Sequence, residues 1–267
     1  MSKELARSAR KRFGQNFLID GRVIDAILAS INASTSDAVV EIGPGHGAIT
    51  EGLYASQCDL TLIELDRDLV PGLLASFVSK SPERCRLLNE DVLKVDFGQL
   101  SSPLRIVGNL PYNISTPLLF KLLELGDQIQ DIHVMLQKEV VNRIAAAPGE
   151  SAYGRLGVMI QATARVEPLI DVPPESFAPP PKVDSGVIRI IPDGNKRALI
   201  ESMDALTHVV RQAFSQRRKT LRNNLKDIVS LDEFEALGIN PQDRPERLSV
   251  ETYVELGNYL GRREGKA

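Results

Sequence analysis

The sequence predicts an α/β protein with a mainly parallel sheet of seven strands and a small all-helical C-terminal domain. Short apolar runs rich in β-branched residues alternate with amphipathic stretches through the first two thirds of the chain, which is typical of parallel sheets with helices on both faces. After the turn cluster 192–195, only helical spacing of apolar residues remains. We therefore expect two domains, residues 1–194 and residues 195–267.

Seven apolar runs are the strand candidates: residues 38–42, 60–65, 85–89, 104–107, 132–136, 166–172 and 187–191. The helical patterns lie at 48–56, 68–78, 116–125, 198–214, 221–229 and 250–260. The almost continuous apolar character of the first run fits a sheet that is covered on both faces. No helix separates the last two runs, which indicates an antiparallel pair at the end of the sheet.

Composition excludes several classes of protein. The 267 residues are 43% hydrophobic and 25% charged, an ordinary globular balance. No apolar run approaches the roughly 20 residues of a membrane span, and the basic, polar start lacks the apolar core of a secretory signal. The two cysteines do not form a CxxC pair and the three histidines are scattered, so we predict no metal site. We expect a cytoplasmic monomer.

A candidate cofactor site follows the first three strands. Residues 41–47 read Glu-Ile-Gly-Pro-Gly-His-Gly, and glycines between a strand and a helix let a ligand approach the backbone. Glu64 ends the next strand, about 20 residues later, where an acidic side chain accepts hydrogen bonds from ribose hydroxyls. Asp91 ends the third strand and is suited to accept from an adenine amino group. Each feature alone is often only structural, but all three meet at the carboxyl edge of a parallel sheet.

The fourth strand runs into Asn109-Leu110-Pro111-Tyr112, which resembles the motif of enzymes that methylate the N6 amine of adenine. Such an amine is a poor nucleophile, because its lone pair is delocalised into the ring. Hydrogen bonds from its N–H groups to the Asn109 side-chain oxygen and to the carbonyl of Leu110 or Pro111 would free that lone pair for the methyl group. Tyr112 would stack on the base. Catalysis of this kind is mainly positioning and electrostatics, and the alternative is an ordinary turn after a strand.

A second aromatic residue lies in the proline-rich stretch 177–185, which reads Phe-Ala-Pro-Pro-Pro-Lys-Val-Asp-Ser. We predict that Phe177 closes over the other face of a flipped base and that Lys182 meets a phosphate. Without the resemblance described next, a stiff connector with a buried phenylalanine is the simpler interpretation.

Nearly the whole chain resembles the small-subunit (16S) ribosomal RNA adenine dimethyltransferases, a Rossmann-like class I S-adenosylmethionine-dependent family. Residues 12–18 (Arg-Phe-Gly-Gln-Asn-Phe-Leu), the extended segment 109–116 and residues 214–225 carry this resemblance. It implies S-adenosylmethionine as the cofactor, 16S rRNA within a pre-30S particle as the partner, and dimethylation of two adjacent adenines near the 3′ end. The cofactor-binding residues that we expect are Gln15, Asn16, Leu18, Gly43, Gly45, Glu64, Leu65, Asp91, Val92 and Asn109.

The net charge of -3 alone argues weakly against nucleic acid, but basic residues cluster locally. The predicted RNA-binding residues are Arg10, Lys11, Arg12, Lys182, Arg217, Arg218, Lys219 and Arg222. The later cluster has few acidic partners at helical spacing, which favours contact with phosphates over a merely solvated face.

Three alternatives stay open at this point. A sister enzyme of the macrolide-resistance type, acting on large-subunit rRNA, shares the glycine turn and the Asn-Leu-Pro-Tyr segment. A ribosome-assembly or transcription factor with the same fold would lack catalysis, although the intact Asn109, Tyr112, Glu64 and Asp91 argue against it. A small-molecule methyltransferase would leave the basic clusters unexplained.

Overall fold

The computed structural model describes residues 15–111 and 114–265. Its strands are β1 (Phe17–Leu18), β2 (Ala38–Ile42), β3 (Asp59–Ile63), β4 (Cys85–Leu88), β5 (Leu104–Asn109), β6 (Ile129–Gln137), β7 (Ala164–Val172), β8 (Phe177–Ala178) and β9 (Ser185–Pro192). Its α-helices are α1 (Gly21–Ile31), α2 (Thr50–Ala55), α3 (Val70–Ser76), α4 (Ser115–Glu124), α5 (Lys138–Ala145), α6 (Arg155–Gln161), α7 (Gly194–Ala198), α8 (Met203–Ala213), α9 (Leu221–Leu225), α10 (Leu231–Ala236) and α11 (Val250–Arg263). Short 3-10 helices lie at Val78–Lys80, Phe97–Gln99, Gly126–Gln128, Pro174–Ser176 and Pro245–Arg247.

The main sheet has seven strands in the order β4-β3-β2-β5-β6-β9-β7. The pairs β4-β3, β3-β2, β2-β5 and β5-β6 are parallel, whereas β9 runs antiparallel to β6. Each of the seven strands overlaps one of the runs identified in the sequence, with ends that differ by at most three residues. The mainly parallel sheet is confirmed. β1 and β8 form a separate antiparallel pair in which Leu18 faces Phe177. These two-residue strands are too short for a periodic signal, so the sequence analysis missed them.

Apolar strands explain where the core lies. The central strands β2, β3 and β5 are buried along almost their whole length, which fits a sheet covered on both faces. Side chains at the helix starts fix several boundaries, since Asp20, Ser202, Ser230 and Ser249 each accept a backbone N–H of the first turn. Within the described part of the chain, no helix combines the length and apolar character that a membrane crossing needs.

A buried ion network lies at the amino edge of the sheet. The Arg105 guanidinium holds both carboxylate oxygens of Asp131, at 2.9 and 3.0 Å, and donates to the carbonyl of Ile31 at 2.6 Å. Arg189 reaches the same carboxylate at 3.0 Å. Burial alone raises the pKa of Asp131, but the adjacent His133 and the Arg105 guanidinium outweigh it and hold the pKa below its ordinary value. The network therefore joins β5, β6, β9 and the end of α1 far from the carboxyl edge.

The chain divides into two compact units. The first comprises Met1–Val141 and Glu167–Pro192, and the second comprises Asn142–Val166 and Asp193–Ala267. This division lies close to the predicted boundary at 194/195, but it also assigns Asn142–Val166 to the second unit. The reason is α6, whose residues 156–160 are buried and which packs against α8 and α11. In the same unit, the Tyr153 hydroxyl donates to the carbonyl of Leu248 at 2.9 Å.

Glu41 is a buried carboxyl on β2. It is 2% exposed, and its Oε2 has no hydrogen-bond partner among the described residues. Burial raises the pKa of this carboxyl from 4.5 to about 7, and the like charge of Glu64 acts in the same direction. The fold therefore carries a carboxyl that is largely protonated below neutral pH.

This pKa predicts how stability depends on pH. Between pH 4.5 and about 7 the folded protein keeps a proton on Glu41 that the unfolded chain releases, so the free energy of unfolding falls as the pH rises. The loss levels off at about 3 kcal/mol once both states are ionised. Glu41→Gln removes the titration. We expect its melting temperature, measured relative to the parent by calorimetry, to rise from about pH 5 to about pH 8. The exposed Glu83→Gln should show no such trend, and parallel curves for Glu41→Gln and the parent would contradict the assignment.

Candidate active site

The predicted site residues that follow β2, β3, β4 and β5 lie at the carboxyl edge of the parallel strands. Just beyond the paired residues, the backbone N–H of Glu64 donates to the carbonyl of Leu88 at 3.0 Å, and that of Gly43 donates to the carbonyl of Ile63 at 2.9 Å. These two hydrogen bonds place the residues that follow β2, β3 and β4 side by side. The edge is where ligands of such sheets bind.

The glycine turn after β2 has the backbone that the sequence predicts. Gly43 and Gly45 have positive φ angles of 68° and 61°, which side chains rarely tolerate. A Cβ on Gly43 would lie 3.8 Å from the backbone carbonyl oxygen of Asn109, and Gly43 itself is exposed. A Cβ on Gly45 would lie 3.1 Å from the ring of Phe17. The absent side chains keep this turn open toward the end of β5.

Glu64 lies under the glycine turn. Its carboxylate accepts the Gly45 N–H at 3.2 Å and the Asp66 N–H at 2.8 Å, and the residue is 6% exposed. Burial raises the pKa of this carboxyl, and the two amides that donate to it act against that rise. A carboxylate has about four acceptor positions, so capacity for ribose hydroxyls remains beside these two hydrogen bonds.

The residues after Glu64 continue along this edge of the sheet. Leu65 is 51% exposed although it is apolar, which suits a side chain that packs on a flat ring. Asn89, at the end of β4, donates from Nδ2 to the carbonyl of Glu64 at 2.7 Å and so fixes the turn. Asp66 is buried and accepts from Gln15 at 2.9 Å, which brings the predicted Gln15 to this edge.

Asp91 begins the loop after β4. Its Oδ1 accepts the backbone N–H of Leu93 at 3.0 Å, and its carbonyl accepts that of Lys94 at 2.8 Å. Val92 is buried beside it. One carboxylate oxygen of Asp91 therefore shapes the loop, while Oδ2 makes no hydrogen bond to a described residue.

Asn109 ends β5 next to the glycine turn. Its Nδ2 donates to the backbone carbonyl of Asn16 at 3.1 Å. A carbonyl can only accept, so the amide nitrogen must face Asn16 and the side-chain oxygen Oδ1 must face the other way. The neighbouring Gly108 permits this position, because a Cβ there would lie 2.7 Å from the carbonyl oxygen of Ile42.

The predicted catalytic segment continues with Leu110 and Pro111. Leu110 is buried, and its N–H donates to the carbonyl of Met135 at 3.2 Å. The carbonyl of Pro111 accepts the N–H of Ile114 at 3.2 Å, whereas that of Leu110 accepts no hydrogen bond from a described backbone group. Tyr112 lies outside the described residues.

Phe177 does not present its ring to solvent. It is 4% exposed and belongs to the apolar cluster that also contains Leu18, Met135 and Val187. In this structure Phe177 is a core residue, and contact with a target base would require its surroundings to open. Leu18 is buried in the same cluster, so its side chain is not exposed to a ligand either. Lys182, further along the same loop, is exposed.

The basic residues of the second unit divide into two kinds. Arg217 is engaged within the protein, since its guanidinium donates to the carbonyls of Ser151 and Tyr153. Arg218, Lys219 and Arg222 are exposed and make no side-chain hydrogen bond or ion pair to a described residue. The predicted residues Arg10, Lys11 and Arg12 lie outside the part of the chain that the structure describes.

Sequence reasoning missed two residues that shape this edge of the sheet: Asn89 and Asp66. Asn89 ends a strand, so the argument that found Glu64 and Asp91 applied to it as well. Asp66 stands two residues after Glu64 with no pattern to distinguish it. Across residues 15–111 and 114–265, no group of three or more histidine, cysteine, aspartate or glutamate side chains is arranged to hold a metal ion.

Comparison with known proteins extends over both units. The family model "Ribosomal RNA adenine dimethylase" matches residues 6–262. A protein of Saccharophagus degradans named Ribosomal RNA small subunit methyltransferase A is 54% identical over 255 residues, which are 94% of this chain and 94% of that protein. Proteins of the same name from Shewanella baltica and Neisseria meningitidis are each 51% identical and cover 96% and 97% of this chain.

Solved structures agree on the fold. The crystal structure of a dimethyladenosine transferase from Plasmodium falciparum has a TM-score of 0.82 at 25% identity, covering 93% of this chain and 98% of that chain. The crystal structure of the 23S rRNA methyltransferase ErmE has a TM-score of 0.69 at 23% identity, covering 92% and 99%. At that identity the second likeness concerns the fold alone. On the family match and the identity to its relatives, this chain belongs to the ribosomal RNA adenine dimethylases and is a methyltransferase that uses S-adenosylmethionine.

Proposed function

We propose that the protein transfers methyl groups to N6 of two adjacent adenosines near the 3′ end of 16S rRNA, dimethylating each during small-subunit biogenesis. The observation that carries this proposal is the 51% identity, over 96% of the chain, to a protein named for methylation of small-subunit ribosomal RNA. The similarity spans both units and not only the sheet that cofactor-binding proteins share. In this proposal residues 1–194 bind the cofactor and residues 195–267 bind RNA.

The residues at the carboxyl edge fit S-adenosylmethionine. The open turn at Gly43 and Gly45 leaves room for a ligand against the backbone, since side chains there would project toward Asn109 and Phe17. The Glu64 carboxylate has acceptor capacity for ribose hydroxyls, and the exposed Leu65 offers an apolar surface for the adenine ring. The Oδ2 atom of Asp91 is available for the adenine amino group. Gln15 and Asn16 lie at the same edge, where Gln15 donates to Asp66 and the Asn16 carbonyl accepts from Asn109.

When bound, S-adenosylmethionine supplies a methyl group already activated by a positive sulfur, so the protein must mainly orient the acceptor. Asn109 is suited to this task, because its Nδ2 is held by Asn16 and its Oδ1 is left to accept from the target amine. The carbonyl of Leu110 would accept the other N–H. Both hydrogen bonds would strengthen as positive charge develops on the nitrogen.

The base would be held by aromatic residues. Tyr112 would stack on it, and Phe177, which is buried in the core, would contact it only after its surroundings open. Stacking of this kind contributes about 1–3 kcal/mol per base. Lys182 would meet a phosphate of the flipped nucleotide.

The proposed partner is 16S rRNA in a pre-30S particle, bound by a monomer in the cytoplasm. The relatives' names support the RNA class, and the exposed cluster Arg218, Lys219 and Arg222 supports phosphate contact. The alternative substrate, large-subunit rRNA, has weaker support. A 23S enzyme shares the fold at 23% identity, whereas the relatives at 51% or more carry the small-subunit name.

The proposal is tested by incubating the protein with labelled S-adenosylmethionine and small subunits that lack the modification, followed by mapping of the labelled nucleotides. We expect label on N6 of two adjacent adenosines near the 3′ end of 16S rRNA. Large-subunit RNA and small subunits already modified serve as controls. Label on 23S rRNA, or on no RNA, would overturn the proposal.

Asn109→Ala should separate turnover from cofactor binding. Loss of the acceptor for the target amine should lower kcat about 100-fold or more. The Kd for S-adenosylhomocysteine should stay within about threefold, because the side chain that is removed is only half-buried and lies at the edge of the cofactor site. Asn89→Ala is the matched variant: it releases the Glu64 turn, so it should raise the KM for S-adenosylmethionine and leave kcat nearly unchanged. Equal loss of binding and turnover in Asn109→Ala would contradict its assigned role.

The two kinds of basic residue should differ in their effects. Replacing Arg218, Lys219 and Arg222 together by glutamine should weaken RNA binding and reduce the slope of log K against log salt by about two to three. Arg217→Gln should instead lower the melting temperature and change the slope little, because its guanidinium is bound to the carbonyls of Ser151 and Tyr153. Filter binding across a salt series measures the slopes. An unchanged slope in the triple variant would remove this segment from the RNA interface.

A further inference from the structure

Lys121 makes an unusual set of contacts for a helix lysine. It lies in the last turn of α4, is half-buried, and donates from Nζ to two backbone carbonyls, those of Leu93 and Val95, each at 2.7 Å. The same ammonium lies 5.4 Å from the centre of the Phe97 ring. All of these partners belong to the loop that follows β4. A lysine that merely decorates a helix surface would project its charge into water.

The loop that receives this ammonium begins with Asp91. Leu93 connects the two residues, because its N–H donates to Asp91 Oδ1 at 3.0 Å and its carbonyl accepts from Lys121. Val92 and Val95 are 5% and 3% exposed, so the loop turns its apolar side chains inward and its carbonyls toward the ammonium. A short hydrogen-bonded chain therefore runs from Lys121 through Leu93 to the Asp91 carboxylate.

These hydrogen bonds connect the position of Asp91 to Lys121. The loop has no regular secondary structure between Asp91 and the 3-10 helix Phe97–Gln99, so its conformation depends on these few hydrogen bonds. The hydrogen bond from Leu93 occupies Oδ1 of Asp91, while Oδ2 makes no hydrogen bond to a described residue. Without the ammonium, the carbonyls of Leu93 and Val95 would lose the charged donor that they share. The hydrogen bond between Leu93 and Asp91 would then hold the loop less firmly.

We propose that Lys121 is a positioning residue for the S-adenosylmethionine site: it clamps the loop 91–97 from the far end so that Asp91 and Val92 hold the adenine ring of the cofactor. The inference rests on the proposed function in one respect, namely that Asp91 accepts from the adenine amine. Lys121 itself touches neither substrate nor cofactor. Its contacts are with the loop, and the catalytic segment lies before the opposite end of α4, so the clamp acts on cofactor binding rather than on the transfer step.

The test compares Lys121→Met, which keeps the length of the stem and removes the ammonium, with Lys121→Arg, which keeps donors for both carbonyls. Calorimetry with S-adenosylhomocysteine should give about tenfold weaker binding for Lys121→Met, the effect of losing one or two charge-assisted hydrogen bonds, and a Kd near the parent's for Lys121→Arg. At saturating S-adenosylmethionine the kcat of Lys121→Met should stay within about twofold of the parent. Lys94→Met removes an exposed lysine from the same loop and should change neither quantity.

Two readouts separate the clamp from a general loss of structure. Amide hydrogen exchange should speed up in residues 91–97 of Lys121→Met and stay unchanged in β2 and β5. The parent should bind S-adenosylhomocysteine more tightly than its inosine analogue, which has no amine to donate to Asp91, and Lys121→Met should reduce that preference. If Lys121→Met does not fold, Lys121→Gln, with a shorter donor, should give an intermediate loss of affinity.

The outcomes distinguish the clamp from the proposed function. Unchanged affinity for S-adenosylhomocysteine in Lys121→Met, or a lowered kcat with unchanged affinity, would overturn the clamp while the parent still methylates 16S rRNA. Failure of the parent to methylate any RNA would overturn the proposed function, and the binding and exchange measurements would still test the clamp, since neither requires RNA. If Lys121→Met preferred S-adenosylhomocysteine over the inosine analogue as strongly as the parent does, the clamp would not act through Asp91, and the proposal would be overturned.

Discussion

The close pairing of β5 with β2 is the contact on which the site depends. Gly108 faces Ile42 in the parallel register, and a Cβ on Gly108 would come within 2.7 Å of the Ile42 carbonyl oxygen. Only a residue without a side chain lets the two strand ends lie so near each other. As a result Asn109, the first polar residue beyond the pairing, stands directly beside the glycine turn at Gly43. Asn109 and the glycine turn thus come together because Gly108 has no side chain to hold the two strands apart.

The two edges of the sheet are stabilised in different ways. At the amino edge, Arg105 and Asp131 bury opposite charges in direct contact, and the pair is satisfied within the protein. At the carboxyl edge, the carboxylates of Glu64 and Asp91 each retain acceptor capacity, and they are oriented by backbone amides rather than by a cation. The carboxylate of Asp131 is bound within the protein, whereas the carboxylates of Glu64 and Asp91 keep acceptor positions that a ligand could use. This contrast explains why burial raises the pKa of Glu64 while the pKa of Asp131 is held low.

Sequence alone predicted the sheet and much of its carboxyl edge, because both follow from local patterns. A glycine turn after the first strand and acidic residues after the next two needed only the rule that parallel strands end together. The missing parts are contacts between distant residues. Asn109 and Asn16 are 93 positions apart, and Lys121 reaches a carbonyl 28 positions away, so no periodicity signals either pair. Arg217 is another case, because its sequence pattern is that of its basic neighbours and only its hydrogen bond to a carbonyl 66 positions earlier distinguishes it.

The orientation of Asn109 depends in turn on the segment that carries Asn16. That segment continues into β1, where Leu18 pairs with Phe177 of β8. β8 therefore supports β1, β1 holds the Asn16 carbonyl in place, and that carbonyl turns the Asn109 amide so that Oδ1 is free to accept. Phe177 takes part in this series of contacts through its backbone, while its ring is buried in the core. In the proposed function, any opening of the surroundings of Phe177 would act on the same contacts that orient the Asn109 side chain.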